Sequence, residues 1–339
     1  MNQYEEICKD MGLRAKAAAF ELAQLDQGTL DAALLAIADA VEAQTDEIMA
    51  ANKQDLDKSG DYNVPQTMID RLTLTPNRIA QMAEGVRQVA ALESPVGSVM
   101  ETITRPNGLT IEKRAVPFGV IGIIYESRPN VTADAFGLCF KTGNAVILRG
   151  GSDALNSNLA ITNVIAEALS ACDLPADSIQ LLTDISHETA EKFMRLNEYI
   201  DVLIPRGGAG LIKTVVEKST VPVIETGTGN CHVYVDESAD IDMAVNIIEN
   251  AKTQRYGVCN ACESLVIHKK IAKDVLPKIA DRLAEHGVEM RGDEYSMQCD
   301  RRIIKASEED YGTEYLDAII SIKTVDSPEE AIEHINHYN

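Results

Sequence analysis

A single cysteine within a loop of small residues is the strongest candidate for a nucleophile in this sequence. Residues 257–261 read Gly-Val-Cys-Asn-Ala, and the thiol belongs to Cys259. A strand is predicted directly afterwards, over residues 264–268, so the thiol would stand on a loop held by a rigid scaffold. Because its neighbours are small, a substrate carbonyl could approach the sulfur closely. The sequence therefore predicts that Cys259 attacks a carbonyl carbon.

Cys259 also forms a Cys-x-x-Cys pair with Cys262, which is typical of redox dithiols and zinc sites. A tetrahedral zinc site needs further ligands, and Cys231 with His232 is the only nearby candidate in the sequence. A thioredoxin-like pair would open a helix early in a small domain, whereas this pair precedes a strand late in the chain. We therefore favour the loop nucleophile, with Cys262 as a buried small side chain, and expect no metal site.

Two glycine-rich turns that follow predicted strands are candidates for binding phosphate groups. Residues 206–210 read Arg-Gly-Gly-Ala-Gly and precede a predicted helix, and residues 149–152 read Arg-Gly-Gly-Ser in a similar setting. Glycine lets backbone N–H groups and a helix N-terminus approach a pyrophosphate. A plain strand-to-helix turn is the alternative for both segments, since the sequence has neither a G-x-G-x-x-G after the early strands nor a Walker loop.

Composition limits the class of protein. The 339 residues suffice for two domains, and 45% hydrophobic residues suffice for a large core. With 31 basic against 53 acidic residues, the net charge of −22 argues against a nucleic-acid partner or an anionic membrane surface. Seven cysteines without a framework pattern fit a reducing compartment. The polar N-terminus resembles no signal peptide, and no apolar run reaches membrane-spanning length, so we expect a cytoplasmic protein.

The pattern of apolar residues predicts helices first and an α/β region afterwards. Helices are predicted over 13–25, over 30–51 and from Thr75-Pro76 onward. Residues 99–112 alternate around Asn107-Gly108, which indicates a hairpin; it would pair either with a neighbouring subunit or within the chain.

From residue 116 onward, continuous apolar strands alternate with helices, which is typical of a doubly wound parallel sheet. A first series has strands over 120–125, 145–149, 179–182 and 201–205 and helices over 155–169, 188–196 and 211–218. A second series has strands over 232–235, 264–268 and 318–322 and helices over 241–252, 272–286 and from 327. Glycines cluster at 226–230. We therefore predict two α/β domains, 1–225, with an arm over 99–115, and 226–339.

Three segments carry a resemblance to a known family. Residues 125–132 read YESRPNVT, residues 203–212 read LIPRGGAGLI, and residues 221–236 read VPVIETGTGNCHVYVD. Together with the Gly-Val-Cys-Asn-Ala loop, they closely resemble the γ-glutamyl phosphate reductases, or glutamate-5-semialdehyde dehydrogenases, of the aldehyde dehydrogenase superfamily. The resemblance implies an aldehyde dehydrogenase-like α/β fold, with a doubly wound NADP-binding domain, an α/β catalytic domain and a β-hairpin oligomerisation arm.

The resemblance also implies a reaction. NADPH would reduce L-glutamyl 5-phosphate, the small-molecule substrate, to L-glutamate 5-semialdehyde and phosphate, the second step of proline biosynthesis from glutamate. Cys259 would displace phosphate to give a thioester, which a hydride then reduces. By analogy with the superfamily, the Asn130 amide and the Cys259 N–H would stabilise the oxyanion; the alternative for Asn130 is a turn residue after Pro129.

The remaining site residues also follow from the resemblance. Glu225 would shape the nicotinamide or substrate site without acting as an efficient hydrolytic base, and Arg149 would bind the 2′-phosphate, so NADPH is expected over NADH. The alternative for Glu225 is a strand-end carboxylate without a role, and the alternative for Arg128, Arg206 and Arg255 is a solvated surface position. The residues expected to bind the cofactor are Arg149, Gly150, Gly151, Ser152, Arg206, Gly207, Gly208 and Glu225. The residues expected to bind the substrate are Arg128, Arg255 and Asn260, with Arg206 as a further candidate.

Family members continue past the position of Asn339, and the further segment would complete the oligomerisation arm. A homo-oligomer is expected from the family, and a chain that ends at Asn339 would lack this contribution. Two other functions stay open at this point: a catabolic aldehyde dehydrogenase that uses water as the final acceptor, and a non-catalytic binding protein.

Overall fold

The chain divides into two compact units, Met1–Thr226 and Gly227–Asn339. The computed structural model describes residues 3–59, 66–126, 128–225, 227 and 229–338. Each unit has its own hydrophobic core, built mainly from aliphatic side chains. Within the described ranges, none of the helices combines the length and the apolar character that a membrane crossing requires.

Helices form the first part of unit 1. They are α1 (Gln3–Leu22), α2 (Gln27–Ala43), α3 (Thr45–Ser59), α4 (Gln66–Leu72) and α5 (Pro76–Ala91). Thr75 caps α5 as predicted, because its hydroxyl accepts the N–H of Arg78. The prediction of one helix over 30–51 is wrong, since α2 ends at Ala43 and α3 begins at Thr45. The break is a single residue, Gln44, and the apolar spacing continues almost unchanged across it.

A β-hairpin follows the helices, as predicted. Strand β1 (Val99–Thr104) pairs antiparallel with β2 (Thr110–Arg114). The turn between them includes Gly108 at φ 85°, a left-handed conformation that suits glycine. Both strands are exposed along their whole length, so the hairpin extends from the core of unit 1.

A parallel sheet forms the centre of unit 1. Its strands are β3 (Val120–Tyr125), β4 (Ala145–Arg149), β5 (Ile179–Leu181) and β6 (Val202–Arg206), in the spatial order β5-β4-β3-β6. The intervening helices are α6 (Asn130–Lys141), α7 (Leu155–Ala171), α8 (His187–Phe193) and α9 (Ala209–Lys218). All six residues of β3 are buried, as expected for a strand covered on both faces. The predicted parallel sheet is confirmed, whereas α6 was not predicted.

Register in this sheet brings three strand ends together. Ile124 on β3 pairs with Arg149 on β4, and Tyr125 pairs with Arg206 on β6. The carboxyl ends of the three strands therefore lie side by side, at the edge where parallel α/β sheets bind their ligands.

Unit 2 has a second parallel sheet, with the order β10-β9-β11-β8-β7. The elements are β7 (Cys231–Val235), α10 (Ile241–Thr253), β8 (Cys262–His268), α11 (Lys269–Glu285), β9 (Glu289–Gly292), α12 (Glu294–Cys299), β10 (Ile304–Lys305), β11 (Ile319–Val325) and α13 (Pro328–Tyr338). The predicted strands and long helices are confirmed, but β9, α12 and β10 were missed because each is six residues or shorter. The loop between α10 and β8 carries Cys259.

Candidate active site

Cys259 lies at the tip of a turn, and its side chain is exposed. The N–H of Ala261 donates a hydrogen bond of 3.0 Å to the carbonyl oxygen of Val258, so Cys259 and Asn260 are the two central residues of the turn. Arg255 is exposed four residues earlier in the same loop. Unit 2 therefore presents a thiol to solvent from a hydrogen-bonded turn directly before the fully buried strand β8.

Gly229, two residues before β7, lies directly beside this turn. A Cβ atom added to Gly229 would lie 2.8 Å from the Cβ of Cys259 and 2.9 Å from Oε1 of Glu314. Only glycine allows this approach without displacing one of its neighbours. The Sγ of Cys231 donates a hydrogen bond of 3.3 Å to the carbonyl oxygen of Cys259. The turn that carries Cys259 is thus packed against a second backbone segment.

The neighbouring thiols differ from Cys259 in environment. Cys262 is buried in β8, its Sγ donates to the carbonyl oxygen of Ser264, and burial raises the pKa of its thiol to about 12. Burial also raises the pKa of the Cys231 thiol, and the electrostatic effects of the nearby Cys259 and Glu263 side chains raise it further. The prediction that Cys262 is a buried small side chain is confirmed.

All seven cysteines fall in the described part of the chain and carry free thiols. Among the residues that the structure describes, no group of three or more His, Cys, Asp or Glu side chains is arranged to hold a metal ion.

In unit 1, Asn130 is the first residue of α6 and follows Pro129 in the turn that begins the helix. Its Nδ2 donates a hydrogen bond of 2.8 Å to Oδ2 of Asp134, one turn later. Burial raises the pKa of the Asp134 carboxyl, and the hydrogen bond from Asn130 and the charge of Arg206 oppose this shift. An amide nitrogen carries two hydrogens, so one binds Asp134 and the second can donate to a substrate oxygen.

The N-terminus of α9 is suited to an anion. Gly208 is the N-cap residue, without a side-chain cap of its own, and its N–H donates a hydrogen bond of 2.9 Å to Oε2 of Glu126. At Gly207, an added Cβ would lie 2.8 Å from Leu211 and 2.9 Å from the Glu126 carboxyl carbon. A negatively charged oxygen therefore already contacts this end of α9, where a pyrophosphate would find the same N–H donors and helix dipole.

Arg149, at the end of β4, does not use all of its hydrogen-bond donors within the described structure. Its Nη2 donates to the carbonyl oxygen of Ile185 at 3.2 Å, while its buried Nε has no hydrogen-bond partner within the described structure. Burial lowers the pKa of the guanidinium, and the nearby carboxylates of Glu126 and Asp184 oppose this shift. A buried N–H donor without an acceptor is costly, which fits a ligand phosphate at this position.

The segment after Arg149 is not a plain strand-to-helix turn. Residues Ser152–Ala154 form a short 3₁₀ helix before α7 begins. The first N–H groups of α7, those of Asn156 and Ser157, donate to the carboxylate of Asp55 on α3 at 3.1 and 2.8 Å. The N-terminus of α7 is therefore capped from inside the protein, unlike that of α9. Sequence reasoning missed this cap, because Asp55 is about a hundred residues away along the chain.

The other residues expected at the site lie near the same strand ends or fall in the loops of unit 2. Arg128 is half-buried between β3 and α6, and Arg206 is exposed at the end of β6. Val223 forms a parallel bridge with Leu203 of β6, so the chain runs from there toward the same edge, where Glu225 is exposed. Unit 1 thus brings together the residues expected to bind the cofactor, and unit 2 holds Cys259, Asn260 and Arg255. Three residues of the family-like segments, Ser127, Thr226 and Thr228, lie outside the described residues.

This chain is similar to known proteins over nearly its whole length. The chain matches the aldehyde dehydrogenase family over residues 4–299. It is 60% identical over 334 residues to the gamma-glutamyl phosphate reductase of Lachnospira eligens, a match that covers 98% of this chain and 80% of the relative. The crystal structure of gamma-glutamyl phosphate reductase from Thermotoga maritima is 44% identical, with a TM-score of 0.90 over 98% of this chain and 80% of that one.

The fold extends to more distant proteins. A probable aldehyde dehydrogenase from Listeria monocytogenes, only 16% identical, superposes with a TM-score of 0.70 over 99% of this chain and 80% of that one. The prediction of an aldehyde dehydrogenase-like α/β fold is therefore confirmed. The higher sequence identity and the coverage of the nearer relatives also establish the family. This chain belongs to the gamma-glutamyl phosphate reductases, oxidoreductases of the aldehyde dehydrogenase family.

Proposed function

We propose that this chain catalyses the NADPH-dependent reduction of L-glutamyl 5-phosphate to L-glutamate 5-semialdehyde and phosphate, the second step of proline biosynthesis from glutamate. The observation that carries the proposal is the exposed thiol of Cys259, on a turn packed against Gly229. It stands in a chain 60% identical to a relative named gamma-glutamyl phosphate reductase.

In the first step, the Cys259 thiolate attacks the acyl carbon of the substrate. A carbon–sulfur bond forms, and the carbon–oxygen bond to phosphate breaks, with phosphate leaving with the bonding electron pair. The product is a glutamyl thioester on Cys259. The Cys259 N–H and the second hydrogen of the Asn130 amide are the proposed donors to the oxyanion that forms during this attack.

A nicotinamide cofactor is a property of the aldehyde dehydrogenase family, and here we assign NADPH. When bound, it would supply the hydride that reduces the thioester to the aldehyde level. The unpartnered Nε of Arg149 supports binding of the 2′-phosphate. The N-terminus of α9, with Arg206, Gly207 and Gly208, would receive the pyrophosphate.

The segment Gly150, Gly151 and Ser152 would contact the cofactor beside Arg149. An added Cβ at Gly150 would lie 3.3 Å from the ring of Tyr125 and would also collide with Asn158. A larger residue there would therefore disturb the end of β3. The role of this segment is to keep the backbone close to the sheet edge, while the N-terminal dipole of α7 is satisfied by Asp55.

The remaining charged residues would orient the ligands. We assign Arg128, Arg255 and Asn260 to the substrate, whose phosphate and α-carboxylate are anionic. Glu225 would shape the nicotinamide or substrate site and would not act as an efficient base toward water, since hydrolysis of the thioester would waste the substrate.

The working form is assigned to the cytoplasm, with the exposed hairpin β1–β2 as the arm through which copies would assemble. The support for an arm is that both of its strands expose their side chains, including the apolar Met100 and Ile103.

The test is the reaction run in reverse. With L-glutamate 5-semialdehyde and NADP⁺, repeated turnover should require inorganic phosphate, because phosphate releases the glutamyl group from Cys259, and all reduction of the nucleotide should stop when Cys259 is replaced by Ala. Turnover without phosphate, with free glutamate as the product, would instead assign the chain to the hydrolytic aldehyde dehydrogenases. Nucleotide binding without any turnover would assign it to the non-catalytic class.

A further inference from the structure

A fully buried ion pair closes the base of the loop that carries Cys259. The Nζ of Lys252 lies 2.7 Å from Oε2 of Glu263, and both side chains are 0% exposed. Lys252 is the second-last residue of α10, and Glu263 is the second residue of β8. The pair therefore joins the two ends of loop 254–261, with Cys259 near its tip.

The other carboxylate oxygen of Glu263 holds a second loop. Its Oε1 accepts the N–H of Leu316 at 3.1 Å, and Leu316 has φ 52°, a left-handed conformation that is rare for a branched side chain. Two residues earlier, Glu314 is the residue whose Oε1 lies beside Gly229 and, through it, the Cys259 turn. One carboxylate thus joins two loops that both reach the nucleophile.

Stability alone does not account for such a pair. Burying two charges has a large desolvation cost, and replacement of a buried ion pair by apolar residues of similar volume is often neutral or stabilising. A direct salt bridge between the two sides of a loop does, however, fix the geometry at its base. Backbone strain of the kind seen at Leu316 persists only where neighbouring contacts impose it.

We infer that Lys252 and Glu263 are positioning residues for the nucleophile: they hold loop 254–261 and loop 313–318 in the arrangement that places the Cys259 thiol. The inference rests on the proposed function in one respect, namely that Cys259 is the nucleophile. Neither side chain touches the substrate, since both are fully buried, and their effect is transmitted through the two loops.

The test is the double variant Lys252→Met with Glu263→Leu, which removes both charges and keeps the volume. The control is Lys278→Met with Asp242→Asn, which removes an exposed ion pair of 3.2 Å between α11 and α10. Three quantities are measured: the urea midpoint of unfolding, amide hydrogen exchange over residues 254–261 and 313–318, and kcat with the KM for NADPH.

We expect the double variant to unfold at a urea midpoint no lower than that of the wild type, to exchange faster in both loops, and to lose about tenfold or more in kcat at unchanged KM. The control should match the wild type in all three. Wild-type exchange and wild-type kcat in the double variant would overturn the inference. If the wild type fails to reduce glutamyl phosphate, the proposed function is wrong. Amide hydrogen exchange in the two loops would still show whether the ion pair holds them in place.

A second variant covers the case in which the double variant does not fold. Glu263→Gln keeps an acceptor for the Leu316 N–H and removes the charge that binds Lys252. It should speed exchange over residues 254–261 and lower kcat, with little change over 313–318. Unchanged exchange over 254–261, together with unchanged kcat, would contradict the inference.

Discussion

The side-chain amide of Asn130 donates a hydrogen bond of 2.8 Å to the carboxylate of Asp134, one turn further along α6. The bond orients the amide at the start of the helix and leaves its second hydrogen available to a further acceptor. Asp134 was not among the residues that the sequence singled out, because only the helical spacing of four residues brings the two together.

If the Asn130 amide stabilises the oxyanion, its removal should act on the chemical step. We expect Asn130→Ala to lower kcat by about 10²- to 10³-fold, with little change in the KM for NADPH, as measured by steady-state kinetics. Asp134→Asn is the matched control, since an Asn side chain can still accept the hydrogen bond and should retain most of the activity. Equal losses in the two variants would show that α6 is simply disturbed.

Asp134 also predicts a pH dependence of stability. Burial raises the pKa of its carboxyl in the folded protein above the usual value of 3.8. The folded state therefore holds the proton more tightly than the unfolded state, and this carboxyl lowers stability as the pH rises from 3.8 through the raised pKa. Asp134→Asn removes the ionisation, so its stability relative to wild type should increase between about pH 4 and pH 7. Urea unfolding at both pH values measures this, and a constant difference would refute it.

A further prediction concerns the contribution of the internal cap of α7 to stability. The Asp55 carboxylate accepts from the backbone N–H and the side chain of both Asn156 and Ser157. Asp55→Ala leaves the buried donors of Ser157 and the half-buried donors of Asn156 without this acceptor and should lower the free energy of unfolding by about 2–4 kcal/mol. Asp57→Ala, an exposed residue of the same helix, should have almost no effect. Urea titration compares them, and equal stabilities would show that the cap is unimportant.

Substitution of Arg149 tests the assignment of NADPH as the cofactor. Its partly buried guanidinium has an Nε without a hydrogen-bond partner among the described residues, and a charge-assisted hydrogen bond to the 2′-phosphate would involve only NADPH. We expect Arg149→Gln to lower kcat/KM with NADPH by about tenfold or more, and to change kcat/KM with NADH much less. Parallel losses with both cofactors, or equal use of both by the wild type, would remove the basis for a 2′-phosphate site here.

The regular elements were accessible from the sequence because their signals are local. The fully apolar run of β3 and the Thr75-Pro76 start of α5 each depend on neighbouring residues alone. The break at Gln44 was missed because helical spacing continues across it. Short strands such as β10, with two residues, carry no period to detect.

The candidate site was predicted unevenly for a similar reason. Cys259 and the glycine turns are visible as short motifs. Asp55 is about a hundred residues from the helix it caps, and Lys252 and Glu263 appear in sequence as one unremarkable basic and one unremarkable acidic residue. Their burial and pairing arise only when the two ends of a loop come together in the folded chain. No local sequence pattern therefore indicates them.

In the proposed reaction, the Cys259 thiol becomes acylated by a glutamyl group. The most direct test of this step is mass spectrometry of the enzyme after mixing with L-glutamate 5-semialdehyde and NADP⁺ in the absence of phosphate, followed by peptide mapping. We expect a glutamyl adduct on the peptide that contains Cys259, its release on addition of phosphate, and no adduct in Cys259→Ala. An adduct on another residue, or a Cys259→Ala variant that turns over as fast as its parent, would contradict it.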